Sequence, residues 1–166
     1  MEDVNLTIEP MTEDRVEAFW SAVASVARER RYLASVKAFP LESTRDFVNG
    51  ILDGNGVSFI GLHDGELIGW CDVVRPPHEG FQHSGRLGMG VLANYRGRGL
   101  GRRLLESTIA AARDMGITRI ELEVFASNTA AVEFYKKAGF VDEGIKRGAR
   151  IMDGKSDDII CMALFV

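Results

Sequence analysis

Apolar and polar residues along this chain follow two rhythms, a strict alternation in some stretches and a recurrence every three or four positions in others. Alternation places successive side chains on opposite faces of a strand, and the longer period aligns them on one face of a helix. The chain opens on an alternating stretch through Val4, Leu6 and Ile8, which predicts a strand. A helix follows, capped by Thr12 or Asp14. Its predicted apolar face consists of Val16, Phe19, Trp20, Val23 and Val26.

Glycine, proline and capping residues divide the rest of the chain into further elements. Asp64-Gly65 favours the positive φ angles of a tight hairpin. The second predicted helix begins at Ser43 or Thr44, and Gly116 ends the third. The third and fourth predicted helices are residues 99–115 and 129–138. The further predicted strands are residues 57–62, 67–74, 85–91, 119–125, 140–151 and 158–164.

This order of elements, β-α-α-β-β-β-α-β-α-β-β, belongs to the α/β class and predicts a single mixed sheet. Consecutive strands joined by short turns pair antiparallel, whereas the crossover through the third helix makes strands 85–91 and 119–125 parallel. Helices are then expected on both faces of the sheet. A doubly wound sheet would need a repeated β-α alternation, which is not the pattern of this chain.

Composition restricts the class of protein. A chain of 166 residues, 46% of them hydrophobic, predicts one soluble domain over residues 1–166. The net charge of −4 argues against a nucleic-acid partner. The acidic start and the short apolar runs predict neither a signal peptide nor a membrane span. Cys71 and Cys161 are far apart, without metal-ligand spacing, and predict buried thiols in a cytoplasmic protein.

The candidate chemistry is concentrated between Gly88 and Arg102. Glycines in this stretch allow backbone N–H groups to approach a ligand closely. The start of the third helix adds unpaired N–H donors and the positive end of a helix dipole. Arg96, Arg98 and Arg102 add positive charge. These features together predict an anion site that suits a phosphate or pyrophosphate.

Two familiar phosphate-binding motifs fit this stretch poorly. A P-loop would need Gly-Lys-Ser or Gly-Lys-Thr directly after the turn, and neither follows it here. Gly88, Gly90 and Ala93 do match the dinucleotide pattern G-x-G-x-x-A. That motif must open a helix directly, however, and Asn94-Tyr95-Arg96-Gly97 intervenes here. A nucleotide-dependent oxidoreductase is therefore ranked last among the functional hypotheses.

Two other motifs carry a resemblance to a known family. Arg96, Gly99 and Gly101 form Arg-x-x-Gly-x-Gly after a strand that ends at Val91, and this resembles the acetyl-CoA signature of the GNAT N-acetyltransferase superfamily. A longer pattern, Asn-x-x-Ala-x-x-x-Tyr-x-x-x-Gly-Phe, resembles the second acetyl-CoA segment of that superfamily. Its residues here are Asn128, Ala131, Tyr135, Gly139 and Phe140. The motifs cover residues 85–140, and element order extends the resemblance to both ends.

The resemblance implies where acetyl-CoA binds. In the superfamily the cofactor lies between two central parallel strands that splay apart at a bulge, which residues 88–91 would supply here. The backbone of Met89, Gly90 and Val91 would hold the thioester and the pantetheine arm. Asn128 and Ala131 would also bind the cofactor, with a helix cap as the alternative role of Asn128. The pyrophosphate would lie on Arg96, Gly97, Arg98, Gly99, Leu100, Gly101 and Arg102.

The implied reaction is direct acyl transfer to an amine. Tyr135 would protonate the departing thiolate, with a purely structural place in the core as its alternative. Glu123 lies on a predicted strand five residues before Asn128. This spacing resembles the branch that acetylates the N-terminal alanine of a ribosomal protein, in which a glutamate there is the base. A water chain, His78 or His83 are the alternative bases, and a salt bridge is the alternative role of Glu123.

The resemblance therefore implies an enzyme, an acetyl-CoA-dependent N-acetyltransferase that uses no metal. Its acceptor would be a primary amine of a small molecule or a peptide, and the sequence does not choose between them. A non-catalytic acyl-CoA sensor or interaction module of the same fold is the alternative function. Oligomeric state, including a homodimer, also stays open.

Overall fold

The structure is a computed structural model that describes residues 5–166, so Val4 and the acidic start lie outside the described residues. Within that range the chain forms seven strands and four α-helices in the predicted order, and the predicted α/β class is confirmed. The strands are β1 Leu6–Pro10, β2 Gly56–His63, β3 Glu66–Val74, β4 Ser84–Val91, β5 Arg119–Phe125, β6 Val141–Met152 and β7 Lys155–Phe165. The helices are α1 Val16–Arg28, α2 Leu41–Gly50, α3 Leu100–Asp114 and α4 Thr129–Lys137.

The starts of the first two helices differ from the prediction. A short 3-10 turn, Glu13–Arg15, precedes α1, and the Thr12 hydroxyl bonds to Asp14 instead of capping the helix. The start predicted for α2 at Ser43 or Thr44 is wrong, because the helix begins directly after Pro40. Proline fixes φ and lacks an N–H, so it suits the residue just outside a helix.

The seven strands lie in one sheet, in the order β1-β2-β3-β4-β5-β7-β6. The β4–β5 pair is parallel and every other pair among the described residues is antiparallel. The β2–β3 turn has the predicted hairpin geometry, with φ of 50° at Asp64 and 82° at Gly65. This is the predicted mixed sheet, with α3 as the crossover between its parallel strands.

The parallel strands β4 and β5 pair only at one end. Their register runs from Ser84↔Arg119 to Arg86↔Glu121 and then stops. Beyond that point β4 continues along β3 to Val91, and β5 continues along β7 to Phe125. The sheet therefore divides into two half-sheets with a gap between them, as the splayed strands of the resemblance require.

The bulge predicted at residues 88–91 is wrong. The β3–β4 register runs without a shift from Val74↔Arg86 to Gly69↔Val91. The gap thus opens without a bulge in either strand, since β4 keeps a regular ladder with β3 and β5 keeps one with β7.

Two hydrophobic cores cover opposite faces of the sheet. One packs α3 and α4 against the sheet and includes Leu104, Val132 and Tyr135. The other packs α1 and α2 against it and includes Phe19 and Val48. The gap between β4 and β5 consequently connects the face that carries α3 and α4 with the face that carries α1 and α2.

Candidate active site

The glycine-rich turn presents the start of α3 as an anion site. Gly97 and Gly99 have φ of 74° and 80°, angles that only glycine adopts at little cost. No side chain caps the helix at Gly99, and Arg103 N–H makes the first intrahelical bond, to the Gly99 carbonyl. The N–H groups of the first turn therefore lack intrahelical acceptors and can donate to an anion.

Arg96 has a structural role that the sequence did not reveal. Its guanidinium binds Glu29 at the end of α1 through two hydrogen bonds of 2.8 and 2.7 Å, and its Nε donates to the Val91 carbonyl at 2.8 Å. The Tyr32 ring lies 4.6 Å away. The hydrogen bond with Glu29 raises the pKa of Arg96. This side chain ties the turn to α1, and its charge is neutralised instead of adding to the anion site as expected.

The other two arginines remain on the surface beside the turn. Arg102 pairs with Glu106 one helical turn later, with 2.7 Å between Nε and the carboxylate. The Arg98 guanidinium lies 5.7 Å from the centre of the Tyr95 ring. Exposed pairs of this kind are weak and exchange readily for another anion. Both arginines keep the predicted position next to the start of α3.

The gap exposes backbone N–H groups of β4. Leu92 N–H donates to the Ile68 carbonyl on β3 at 2.9 Å. Because successive residues of a strand direct their N–H groups to opposite sides, those of Met89 and Val91 face the gap. The Gly90 N–H faces β3, and a Cβ on Gly90 would lie 2.3 Å from the Trp70 ring. Met89 and Val91 are thus the predicted residues whose N–H groups can reach a ligand in the gap.

The second motif lies on the same face of the sheet as α3. Asn128 caps α4, since its side-chain oxygen accepts from the Ala131 N–H at 3.3 Å. Tyr135 is 8% exposed and lies between the rings of Phe134 and Phe140, at 5.3 and 5.5 Å. Burial raises the pKa of the Tyr135 phenol, so the hydroxyl keeps its proton at neutral pH. A protonated phenol on this face of the sheet can serve as a proton donor.

Glu123 lies on the opposite face and is paired with two cations. Lys146 Nζ donates to one carboxylate oxygen, and Arg86 lies 3.4 Å from the other. Glu123 would have to leave Lys146 before it could take a proton from an amine. Of the histidines, His78 lines a cavity on this face, whereas His83 contributes its carbonyl to the start of β5.

Sequence reasoning missed Asp72, a carboxylate on β3. It is 7% exposed and borders a cavity of about 640 Å³ on the same face as Glu123. Burial raises its pKa to about 8. Among residues 5–166 no hydrogen bond or ion pair to this carboxylate is formed. The sequence did hold a signal, because Asp72 is the one charged residue in the otherwise apolar run 67–74.

The remaining predictions concern thiols, metals and membranes. Cys71 and Cys161 are free, but only Cys71 is buried, so the prediction of two buried thiols is wrong for Cys161. The part of the chain that the structure describes contains no cluster of three or more His, Cys, Asp or Glu side chains suited to a metal ion. Across residues 5–166 no helix combines the length and the apolar character needed to cross a membrane.

Comparisons with known proteins agree with this geometry. A sequence model of the acetyltransferase (GNAT) family matches residues 20–140. The N-acetyltransferase YdgE of Bacillus subtilis (strain 168) is 31% identical over 153 residues, which are 84% of this chain and 94% of YdgE. The ribosomal protein bS18-alanine N-acetyltransferase of Escherichia coli (strain K12) is 39% identical over 71 residues, 43% of this chain and 48% of that protein.

A solved structure extends the likeness to the whole fold. The protein yncA of Salmonella typhimurium, determined with its cofactor acetyl-CoA, matches with a TM-score of 0.90 and 17% identity. The match covers 97% of this chain and 94% of that chain. At this identity the likeness concerns the fold, including a mixed sheet with helices on both faces.

Proposed function

The chain belongs to the acetyltransferase (GNAT) family, and from this premise we propose that it transfers the acetyl group of acetyl-CoA to a primary amine of a small molecule or peptide. The observation that carries the proposal is the gap between β4 and β5. It has an uncapped helix start on one face and a cavity with carboxylates on the other. An acyl donor and an amine can therefore meet from opposite faces of the sheet.

The residues present fit acetyl-CoA in two respects. The first turn of α3 offers N–H groups to a pyrophosphate, with Arg98 and Arg102 beside it. The gap is lined by N–H groups of Met89 and Val91 that can hold a carbonyl and an extended pantetheine arm.

The chain's own residues would share the work of acyl transfer. Acetyl-CoA supplies the acetyl group as a thioester when it is bound. The N–H groups of Met89 and Val91 would donate to the oxygen on which negative charge develops. Tyr135 would hold the proton that the departing sulfur needs, since burial keeps its hydroxyl protonated. Glu123 or a water chain was predicted as the base, and the pairing of Glu123 with Lys146 favours another base.

The proposal is tested by thiol release from acetyl-CoA against a panel of amines and peptides. We expect acceptor-dependent release of CoA thiol and a matching mass gain of one acetyl group on the acceptor. Tight binding of CoA without turnover on any acceptor would contradict the proposal and favour the sensor function instead. The homodimer and the cytoplasmic location stay predictions.

Tyr135→Phe tests the proton donor. We expect kcat to fall on the order of 100-fold with little change in the KM for acetyl-CoA. The fold should persist, because the hydroxyl forms no hydrogen bond within the described residues. Tyr95→Phe is the matched control, since it removes only a hydroxyl that lies 3.4 Å from His63 and keeps the ring that lies beside Arg98. Full activity of Tyr135→Phe across the pH range would remove Tyr135 from the mechanism.

A further inference from the structure

A row of residues crosses the sheet on the face that carries α1 and α2. Ser58 on β2 is the register partner of Asp72 on β3, and Asp72 is in turn the partner of Gly88 on β4. The last β4–β5 pair is Arg86↔Glu121. Two residues further along each strand, Gly88 and Glu123 stand on either side of the gap and on the same face. The row therefore places one carboxylate on each side of the gap.

Asp72 leans toward the gap because its neighbour in the row has no side chain. A Cβ added to Gly88 would lie 3.3 Å from the Asp72 Oδ1. On the other side of Asp72, the Ser58 hydroxyl is buried and has no hydrogen-bond partner. Buried polar groups normally have partners, so two unsatisfied neighbours point to a missing polar ligand. Of the two carboxylates in the row, only Asp72 is free of cations.

The cavity beside Asp72 has mainly apolar walls. Phe81 and Phe47 stand at its mouth, with side chains that are 55% and 38% exposed. The charged and titratable side chains around it, apart from Asp72 itself, are Arg75, His78, Arg86 and Glu121. Two of these are arginines, which would repel a polycation such as a polyamine. A single ammonium group on an apolar body fits the cavity best.

We propose that Asp72 binds the ammonium group of the acceptor and takes its proton, and that the acceptor is a primary amine carried on an apolar body. This inference rests on the proposed function and names the acceptor side of the same site. A small arylalkylamine and a peptide with an apolar N-terminal residue share this chemistry. The experiment below separates these two sources.

The step balances in atoms and charge. The ammonium nitrogen gives one proton to Asp72, and the free amine then attacks the thioester carbonyl. A C–N bond forms and the C–S bond breaks, with the electron pair leaving on sulfur. The nitrogen loses a second proton as the amide forms. In total, one proton is bound by the sulfur by way of Tyr135 and one is released to solvent, so RNH₃⁺ and the thioester yield the amide, the thiol and H⁺.

Burial makes Asp72 a better base than an ordinary carboxylate. Its pKa is raised to about 8, which approaches that of an alkylammonium group at ~10.4. Proton transfer is most efficient when the base is matched to the working pH. The position of Asp72 beside the gap and its raised pKa both fit the role of the base.

The test compares wild type with Asp72→Asn and the exposed control Asp114→Asn. Phenethylamine, a peptide with N-terminal phenylalanine, and spermidine serve as acceptors. We expect wild type to favour phenethylamine or the peptide over spermidine by about 10-fold or more in kcat/KM. Asp72→Asn should lower kcat/KM by about 100-fold and remove an inflection near pH 8, with an unchanged KM for acetyl-CoA. Asp114→Asn should match wild type.

A second variant, Phe81→Ala, tests the inference even if Asp72→Asn does not fold. Phe81→Ala changes an exposed side chain at the cavity mouth and should raise the KM for phenethylamine several-fold while sparing that for spermidine. The preferred arm, phenethylamine or peptide, identifies the source of the amine. Preference for spermidine, or an Asp72→Asn variant with wild-type rate and pH profile, would overturn the inference while wild-type turnover upholds the proposed function. Absence of thiol release with every acceptor would overturn both.

Discussion

The residues of this site differ in the free energy that their burial costs. Tyr135 is buried as a neutral phenol, which needs no charged partner. Asp72 is a buried carboxyl group without a partner, and the loss of hydration penalises its ionised form and so raises its pKa. A group of this kind is unusual in a core that serves stability alone. It suits a residue whose partner arrives with the substrate.

Asp72 predicts a pH dependence of stability. Its pKa rises from 3.8 when unfolded to about 8 when folded. Between these values the folded chain holds a proton that the unfolded chain has lost, so stability falls as pH rises through this window. Compared with that of Asp72→Asn, the free energy of unfolding of wild type should fall by up to about 1.4 kcal/mol for each pH unit. Urea unfolding between pH 4 and 8 measures it, and parallel curves for the two proteins would contradict it.

Arg96 joins three elements, because it contacts the end of α1, the end of β4 and the turn before α3. Replacing it with glutamine would leave Glu29 half-buried without its partner. We expect Arg96→Gln to lower the free energy of unfolding by about 1–3 kcal/mol. Arg102→Gln, which removes only an exposed pair, should cost less than about 0.5 kcal/mol. Equal losses in denaturant titrations would show that the Arg96 contacts contribute little.

The turn before α3 depends on glycine for its backbone angles. A Cβ on Gly99 would meet no atom within 4 Å, so substitution there strains only the backbone. Gly99→Ala should destabilise the protein by about 1–2 kcal/mol and raise the KM for acetyl-CoA, because it reorients the N–H groups of the turn. Gly50→Ala, at a helical φ of −58° and in equally open space, is the control and should be neutral or stabilising. Identical behaviour of both variants would argue against a shaped turn.

At the scale of the whole molecule, two half-sheets are held together by a short parallel ladder and by the helices on each face. A ligand that fills the gap would contact both half-sheets. Any ligand that binds only the folded state raises stability, by about 2.7 kcal/mol at one hundred times its Kd. For a chain of this size that corresponds to roughly 5–10 °C in Tm.

CoA should therefore raise the Tm by this amount, whereas NAD should leave it unchanged. Thermal unfolding at matched concentrations of the two ligands measures the difference, and Gly99→Ala should reduce the shift produced by a fixed concentration of CoA. Protection by NAD without protection by CoA would revive the dinucleotide interpretation of Gly88, Gly90 and Ala93.

Local patterns were enough to predict most of the elements and their order. The Asp64-Gly65 turn and the glycines with positive φ follow from properties of each residue and its neighbours in the chain. The two motifs also located the helix start at Gly99, the gap-lining stretch and Tyr135. The pairing of Arg96 with Glu29 could not be predicted in this way, because the two residues are 67 positions apart and meet only in the folded chain.

Alternation and turn chemistry, read within a few neighbouring positions, thus established the α/β class and the crossover through α3, and motif spacing predicted the cofactor-binding stretch. Contacts between segments distant in the sequence determined the other features of the site. The divergence of β5 from β4 without a bulge, the pairing of Arg96 with Glu29 and the burial of Asp72 beside Gly88 each depend on which segments meet in the folded chain. That outcome is decided by packing on both faces of the sheet, which no single segment encodes.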